Sequence, residues 1–174
     1  MNSTHPQNIF KYCPKCGSSN FRVTGERCLK CSDCGFVMFV NATAAVAALI
    51  ANEKGELLLT VRGIEPGYGM LDLPGGFVNP LESAEDAVRR ELMEELGMET
   101  ESVDYLFSAP NEYIYKGLSV FTLDMAFRVI PKRIEGIKAM DDIKGFKFCS
   151  EAEINYDMIP APSINYFVRQ FFQI

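Results

Sequence analysis

A chain of 174 residues, 48% hydrophobic and 23% charged, can bury the core of one ordinary domain and is not a disordered segment. A formal charge of −6 and a pI near 4.9 argue against broad electrostatic capture of nucleic acid. The opening MNSTHPQNIF lacks the charged start and apolar core of a secretory signal, and no apolar run approaches the ~18 residues of a membrane span, so a cytoplasmic location is expected.

In chain order the cysteines come first. Five of the six, Cys13, Cys16, Cys28, Cys31 and Cys34, fall within the first 34 residues, which sets off a small module at residues 1–38 from a mixed domain at 39–174. Paired cysteines two residues apart suit tetrahedral zinc in a reducing compartment. Cys28–Cys31 and Cys31–Cys34 both satisfy that spacing, so one thiol is left over. Glycine follows Cys16 and Cys34, and a turn that aims N–H groups at the sulfurs favours the positive φ that glycine tolerates. The expected ligands are therefore Cys13, Cys16, Cys31 and Cys34, with Cys28 spare or exchanging for Cys34. The scattered Lys11, Lys15, Arg22, Arg27 and Lys30 make no basic stripe, so the module is expected to staple the structure or to join a homodimer rather than to bind nucleic acid.

The stretches 41–51 and 56–62 read as apolar strands, joined by NEKG as a hairpin. Ser83 to Gly97 carries helix punctuation: a serine cap, Asp86 in capping-box position and a terminal glycine. Its apolar stripe is Val88, Leu92 and Leu96. Strands are expected at 103–109, 112–116, 119–129 and 145–149. The last segment repeats Ile164, Phe167, Val168, Phe171 and Phe172 as an amphipathic helix.

Glu91, Glu94 and Glu95 share one side of the central helix, where like charges repel unless a cation intervenes. Clustered carboxylates are hard ligands, suited to Mg²⁺ or Mn²⁺. Gly75 and Gly76 let the backbone approach a metal or phosphate closely. From Gly76 the chain continues through Glu82, Arg90, Glu91, Leu92, Glu94, Glu95, Gly97 and Met98. This resembles the signature of the Nudix hydrolases, G-x(5)-E-x(7)-R-E-U-x-E-E-x-G-U with U apolar, at every defined position.

The resemblance implies an α/β fold with a mixed sheet packed between helices, and pyrophosphohydrolysis of a nucleoside diphosphate linked to another moiety. It implies Glu91, Glu94, Glu95 and the Gly75 carbonyl as Mg²⁺ or Mn²⁺ ligands, Glu82 approaching from the loop, and Arg90 orienting a glutamate. Asp141 and Asp142 are candidates for the catalytic base. The cysteine stretch resembles a zinc ribbon, and a ribbon ahead of such a domain is similar to the arrangement in NADH pyrophosphatases. The chain has no tryptophan and lacks the S-Q-P-W-P-F-P-x-S array of those enzymes, so ADP-ribose or another ADP-linked metabolite stands beside NADH as a candidate. Tyr113 and Tyr115 could stack on a base, and Arg62 could reach a phosphate. The competing reading is a nucleotide sensor without catalysis. His5 and Cys149 carry no assignment.

Overall fold

The computed structural model describes residues 2–174, and their contacts divide them into two compact units. The first holds the described residues up to Ala42 together with Glu112–Phe121; the second holds Thr43–Asn111 and Thr122–Ile174.

In the first unit β1 (Phe21–Gly25), β2 (Cys28–Cys31) and β3 (Val37–Phe39) form an antiparallel sheet in that order. Gly17 and Gly35 sit at φ of 74° and 72°. Their N–H groups return to the carbonyls of Cys13 and Cys31 at 2.8 and 3.0 Å, closing the two cysteine turns that the sequence leads one to expect. Phe21 and Leu29 fill the small core beside Cys13 and Cys31. A short helix, α1 (Pro6–Ile9), lies ahead of the sheet.

The second unit contains β4 (Thr43–Leu49), β5 (Leu57–Arg62), β6 (Leu71–Asp72), β7 (Gly75–Phe77), α2 (Ala84–Leu96), the greater parts of β8 (Thr100–Tyr115) and β9 (Leu118–Pro131), β10 (Ile143–Cys149) and α3 (Pro162–Phe171). One sheet runs β7-β4-β9-β8 and the other β10-β5-β6. The pair β4 and β9 is parallel while β4 and β7 are antiparallel, so the first sheet is mixed.

Period-two alternation sorts the core onto two faces. Val46, Ala48 and Ile50 of β4 pack with Val88, Leu92 and Leu96 of α2. Ala47 and Leu49 pack with Phe167 and Val168 of α3. A mixed sheet between helices follows, as the resemblance implies.

Two expectations need correction. The NEKG turn closes only a hairpin tip, with the antiparallel bridge Ala51↔Leu57 and the Leu58 N–H on the Ile50 carbonyl at 2.9 Å; beyond it β4 pairs with β7 and β9 while β5 pairs with β6 and β10. The anticipated segments 103–109 and 112–116 are one strand, β8, running straight through Pro110. A two-residue left-handed turn, Lys116 and Gly117 at φ of 48° and 81°, then leads into β9. β8 lies at the sheet edge, where proline costs least.

Candidate functional site

Local chemistry fixes α2 at both ends. The Ser83 hydroxyl accepts the Asp86 N–H at 3.2 Å and donates to the Asp86 carboxylate at 2.7 Å. Gly97 closes the helix at φ 63°, its N–H returning to Met93 at 3.0 Å. Burying Val88, Leu92 and Leu96 rotates Glu91 and Glu95 toward the sheet and leaves Glu94 exposed. Glu94 and Glu95 thus lie in the last turn, which has no basic residue and where the helix dipole disfavours anions. That arrangement is unfavourable for folding by itself.

Arg90 offsets part of the repulsion. Its guanidinium donates to both Glu82 oxygens at 2.8 and 2.9 Å, to Glu91 at 2.8 Å, to Glu94 at 3.0 Å and to the Phe77 carbonyl at 2.9 Å. Glu82 also accepts the Asn79 N–H at 2.9 Å. The Arg90 hydrogen bonds hold the Glu82 carboxyl down at about 2. The sequence expectation names Arg90 as the residue that orients a glutamate, and the structure places its guanidinium against Glu82, Glu91 and Glu94.

Glu95 lies in a different environment. It is 7% exposed, and the hydrogen bond it receives is from the Gly75 N–H at 3.0 Å. Burial pushes its carboxyl up to about 8; the Gly75 N–H opposes this, and the charges of Glu91, Asp72 and Asp142 add to it. Burial also raises Glu91. A buried carboxylate without a cation is costly, so Glu95 is poised to take either a proton or a metal.

The glycines make room for this cluster. A Cβ on Gly76 would stand 2.5 Å from Glu91 Oε1, and one on Gly75, already at φ 147°, would stand 2.1 Å from the Val46 carbonyl. Only glycine fits at position 75, against backbone, whereas a side chain at position 76 would displace the Glu91 carboxylate.

The remaining candidates fall in different places. The Arg62 guanidinium holds Asp72 at 2.6 Å and the Pro66 carbonyl at 2.7 Å. Asp142 lies on the loop before β10, where its carbonyl accepts the Gly63 N–H at 2.7 Å and its charge acts on Glu95. Asp141 precedes it at φ 50°. Tyr113 and Tyr115 belong to the first unit and the glutamates to the second. The spacing of the sequence did not flag Asp72 or Asp124. An aspartate between Leu123 and Met125 in an apolar strand was the available sign.

In the first unit the sulfurs of Cys13, Cys16, Cys31 and Cys34 all lie within 4.8 Å of one another. Cys13–Cys34 and Cys16–Cys31 are each 3.7 Å apart. Four sulfurs about 2.3 Å from a tetrahedral zinc stand about 3.8 Å from each other, so the set has zinc dimensions. Cys28 is outside it and contacts the Thr24 hydroxyl at 3.2 Å.

The NUDIX domain model matches residues 41–170. An NAD-capped RNA hydrolase NudC from Deinococcus radiodurans is 32% identical over 69% of this chain and 44% of its own length. The chain thus spans less than half the length of that curated relative. A NUDIX hydrolase from Nitrosomonas europaea superposes with a TM-score of 0.68 at 20% identity, over 94% of this chain and 91% of the other. A MutT protein from Methanosarcina mazei Go1 gives 0.55 at 28% identity over 76% and 91%. With the signature glutamates gathered at a glycine turn and the family model spanning most of the sequence, this chain belongs to the NUDIX family.

Proposed function

We propose that the chain is a divalent-metal-dependent pyrophosphohydrolase. Its substrate would be a nucleoside diphosphate linked to another moiety, of the NADH or ADP-ribose kind, cleaved to a nucleoside monophosphate and a phosphorylated product. The observation that carries this reading is the packing of Glu82, Glu91, Glu94 and Glu95 around one guanidinium and one glycine turn. Four carboxylates against one cation leave net negative charge at a site whose glycines keep the backbone open. The name of the Deinococcus relative, an NAD-capped RNA hydrolase, supports a substrate containing an NAD-type diphosphate.

The donor set fits Mg²⁺ or Mn²⁺: all oxygen, with Glu95 buried and lacking a cation of its own. Glu91, Glu94, Glu95 and the Gly75 carbonyl would hold the ion. When bound, such an ion screens diphosphate charge and lowers the pKa of a coordinated water. The chain's own residues prepare the site. Arg90 keeps Glu82, Glu91 and Glu94 within reach of one another, and the Gly75 N–H fixes the Glu95 carboxylate. Asp142 adds a negative charge from the loop before β10 and is our candidate to orient a water or accept its proton. In the first unit Cys13, Cys16, Cys31 and Cys34 would hold a structural zinc.

The test is hydrolysis of NADH, ADP-ribose, FAD, ADP-glucose and nucleoside triphosphates by the full chain with Mg²⁺ or Mn²⁺. At least one diphosphate-linked nucleotide should be cleaved, and Glu94→Gln and Glu95→Gln should each cost on the order of 100-fold or more in turnover without unfolding the protein. Full activity in both variants would remove the metal role, and inertness toward the whole panel would favour a sensor.

A further inference from the structure

We propose that Lys144, carried on the ring of Tyr68, is a substrate-binding residue whose ammonium takes the diphosphate of the nucleotide. The inference rests on the reading of the chain as a pyrophosphohydrolase and adds a contact outside the glutamates.

The backbone presents this lysine deliberately. Ile143 pairs with Arg62 and Gly145 with Val61, so Lys144 is the extra residue of a β-bulge at the start of β10. Ile143 is buried in the core that packs on α2, while Lys144 is exposed. Bulges re-aim a side chain. Here the ammonium lies 4.2 Å from the centroid of the Tyr68 ring, which is itself 58% exposed. Gly69, at φ 81°, keeps the approach clear, since a Cβ there would stand 3.4 Å from Lys144 Nζ.

Two segments that engage Glu95 meet again at this contact. The Gly75 N–H donates to the Glu95 carboxylate at 3.0 Å, and the Met140 N–H to the Glu95 backbone carbonyl at 2.9 Å. Past Met140 a turn, closed by the Ile143 N–H on the Met140 carbonyl at 3.2 Å, leads directly into Lys144. The Lys144 Cα therefore lies within about 11 Å of the Met140 Cα. Ahead of Gly75, β6 pairs with β5, and the tight loop between them carries Tyr68. That loop is closed by the Arg62 N–H on the Met70 carbonyl at 2.9 Å and joined to the other segment by the Gly63 N–H on the Asp142 carbonyl at 2.7 Å. The Tyr68–Lys144 pair thus stands at the border of the acidic site.

Charge identifies the ligand. Arg90 is committed to Glu82, Glu91 and Glu94, and Arg62 to Asp72. Among the described residues Lys144 forms no ion pair, although Asp142 is two residues away. An aromatic face holds a cation without neutralising it. An ammonium on a flexible stem can leave that face for a stronger anion, and phosphate oxygens offer charge-assisted hydrogen bonds that the ring does not. A diphosphate approaching a net negative set of carboxylates needs positive charge at its border, and Lys144 supplies it.

Calorimetric titration of the full chain with α,β-methylene-ADP in Mg²⁺ tests this without turnover, because the bridging carbon of that diphosphate resists cleavage. Lys144→Met, which keeps the stem and removes the charge, should weaken binding at least about tenfold, while Lys144→Arg stays within about threefold of wild type. Tyr68→Leu should weaken it about two- to fivefold, and Tyr68→Phe, which keeps the ring, should bind as wild type does. Circular dichroism and melting temperature should stay near wild type in all four. Undiminished binding by Lys144→Met, equal losses in Lys144→Met and Lys144→Arg, or no binding by the wild type would overturn the proposal. Continued cleavage of a diphosphate-linked nucleotide in any of those cases would leave the hydrolase reading standing, whereas inertness toward the whole panel would count against that reading itself.

Discussion

The chain holds two sets of prospective metal ligands that are built on opposite plans. Four sulfurs of the first unit already stand at zinc spacing, on two turns closed by backbone hydrogen bonds. In the second unit three of the four glutamates, Glu82, Glu91 and Glu94, are held by Arg90, and the fourth is buried with a single N–H donor. The difference is one of closure. A sulfur tetrahedron leaves no position open and suits a resident structural ion, whereas an arginine-held carboxylate set stays open to an exchangeable ion and to substrate oxygens.

The largest expected effect falls on the closed set. Structural zinc contributes on the order of 10 kcal/mol to folding in small finger peptides. Cys34→Ser should therefore release one zinc per chain and abolish hydrogen-exchange protection at Phe21 and Leu29, while Cys28→Ser leaves zinc content unchanged. The opposite pattern, with zinc lost on changing Cys28, would exchange their roles and break the comparison at its first term.

A smaller effect sharpens the second term. The Glu95 carboxyl is raised from 4.5 to about 8 by burial. Its contribution to stability is thus fully present below about pH 4.5 and is lost as pH rises toward 8, because the unfolded chain ionises first. In metal-free protein the melting temperature should fall across that window, with a limiting slope of about 1.4 kcal/mol per pH unit. Glu95→Gln should flatten the slope, and added Mg²⁺ should reverse it by favouring the ionised form. A slope identical in Glu95→Gln would assign the titration elsewhere. Glu82, depressed to about 2 by Arg90, acts in a separate window: its contribution is present above pH 4.5 and fails only as pH falls toward 2.

What the sequence made legible was what a short span of chain determines. Ser83, Gly97 and the stripe Val88–Leu92–Leu96 define α2 within one stretch, and the glutamate positions follow from helical spacing. The glycines after Cys16 and Cys34 likewise separated the clustered sulfurs from Cys28. Long-range pairing was not legible. NEKG turns the chain as expected, but strands elsewhere in the sequence decide which sheet each arm joins. Pro110 reads as a breaker until its strand is seen at an edge. Asp124 shows locally only as an aspartate inside an apolar strand, and its partner Ser163 lies 39 residues away in another element.

The central claim is that the glutamates of α2 seat a hard divalent ion. Crystals of the full chain soaked in Mn²⁺ and measured at the manganese edge test it directly. The account predicts anomalous density bounded by Glu91, Glu94 and Glu95, with Arg90 retained on Glu82. Absence of manganese there, with Arg90 still engaging Glu91 and Glu94, would contradict it.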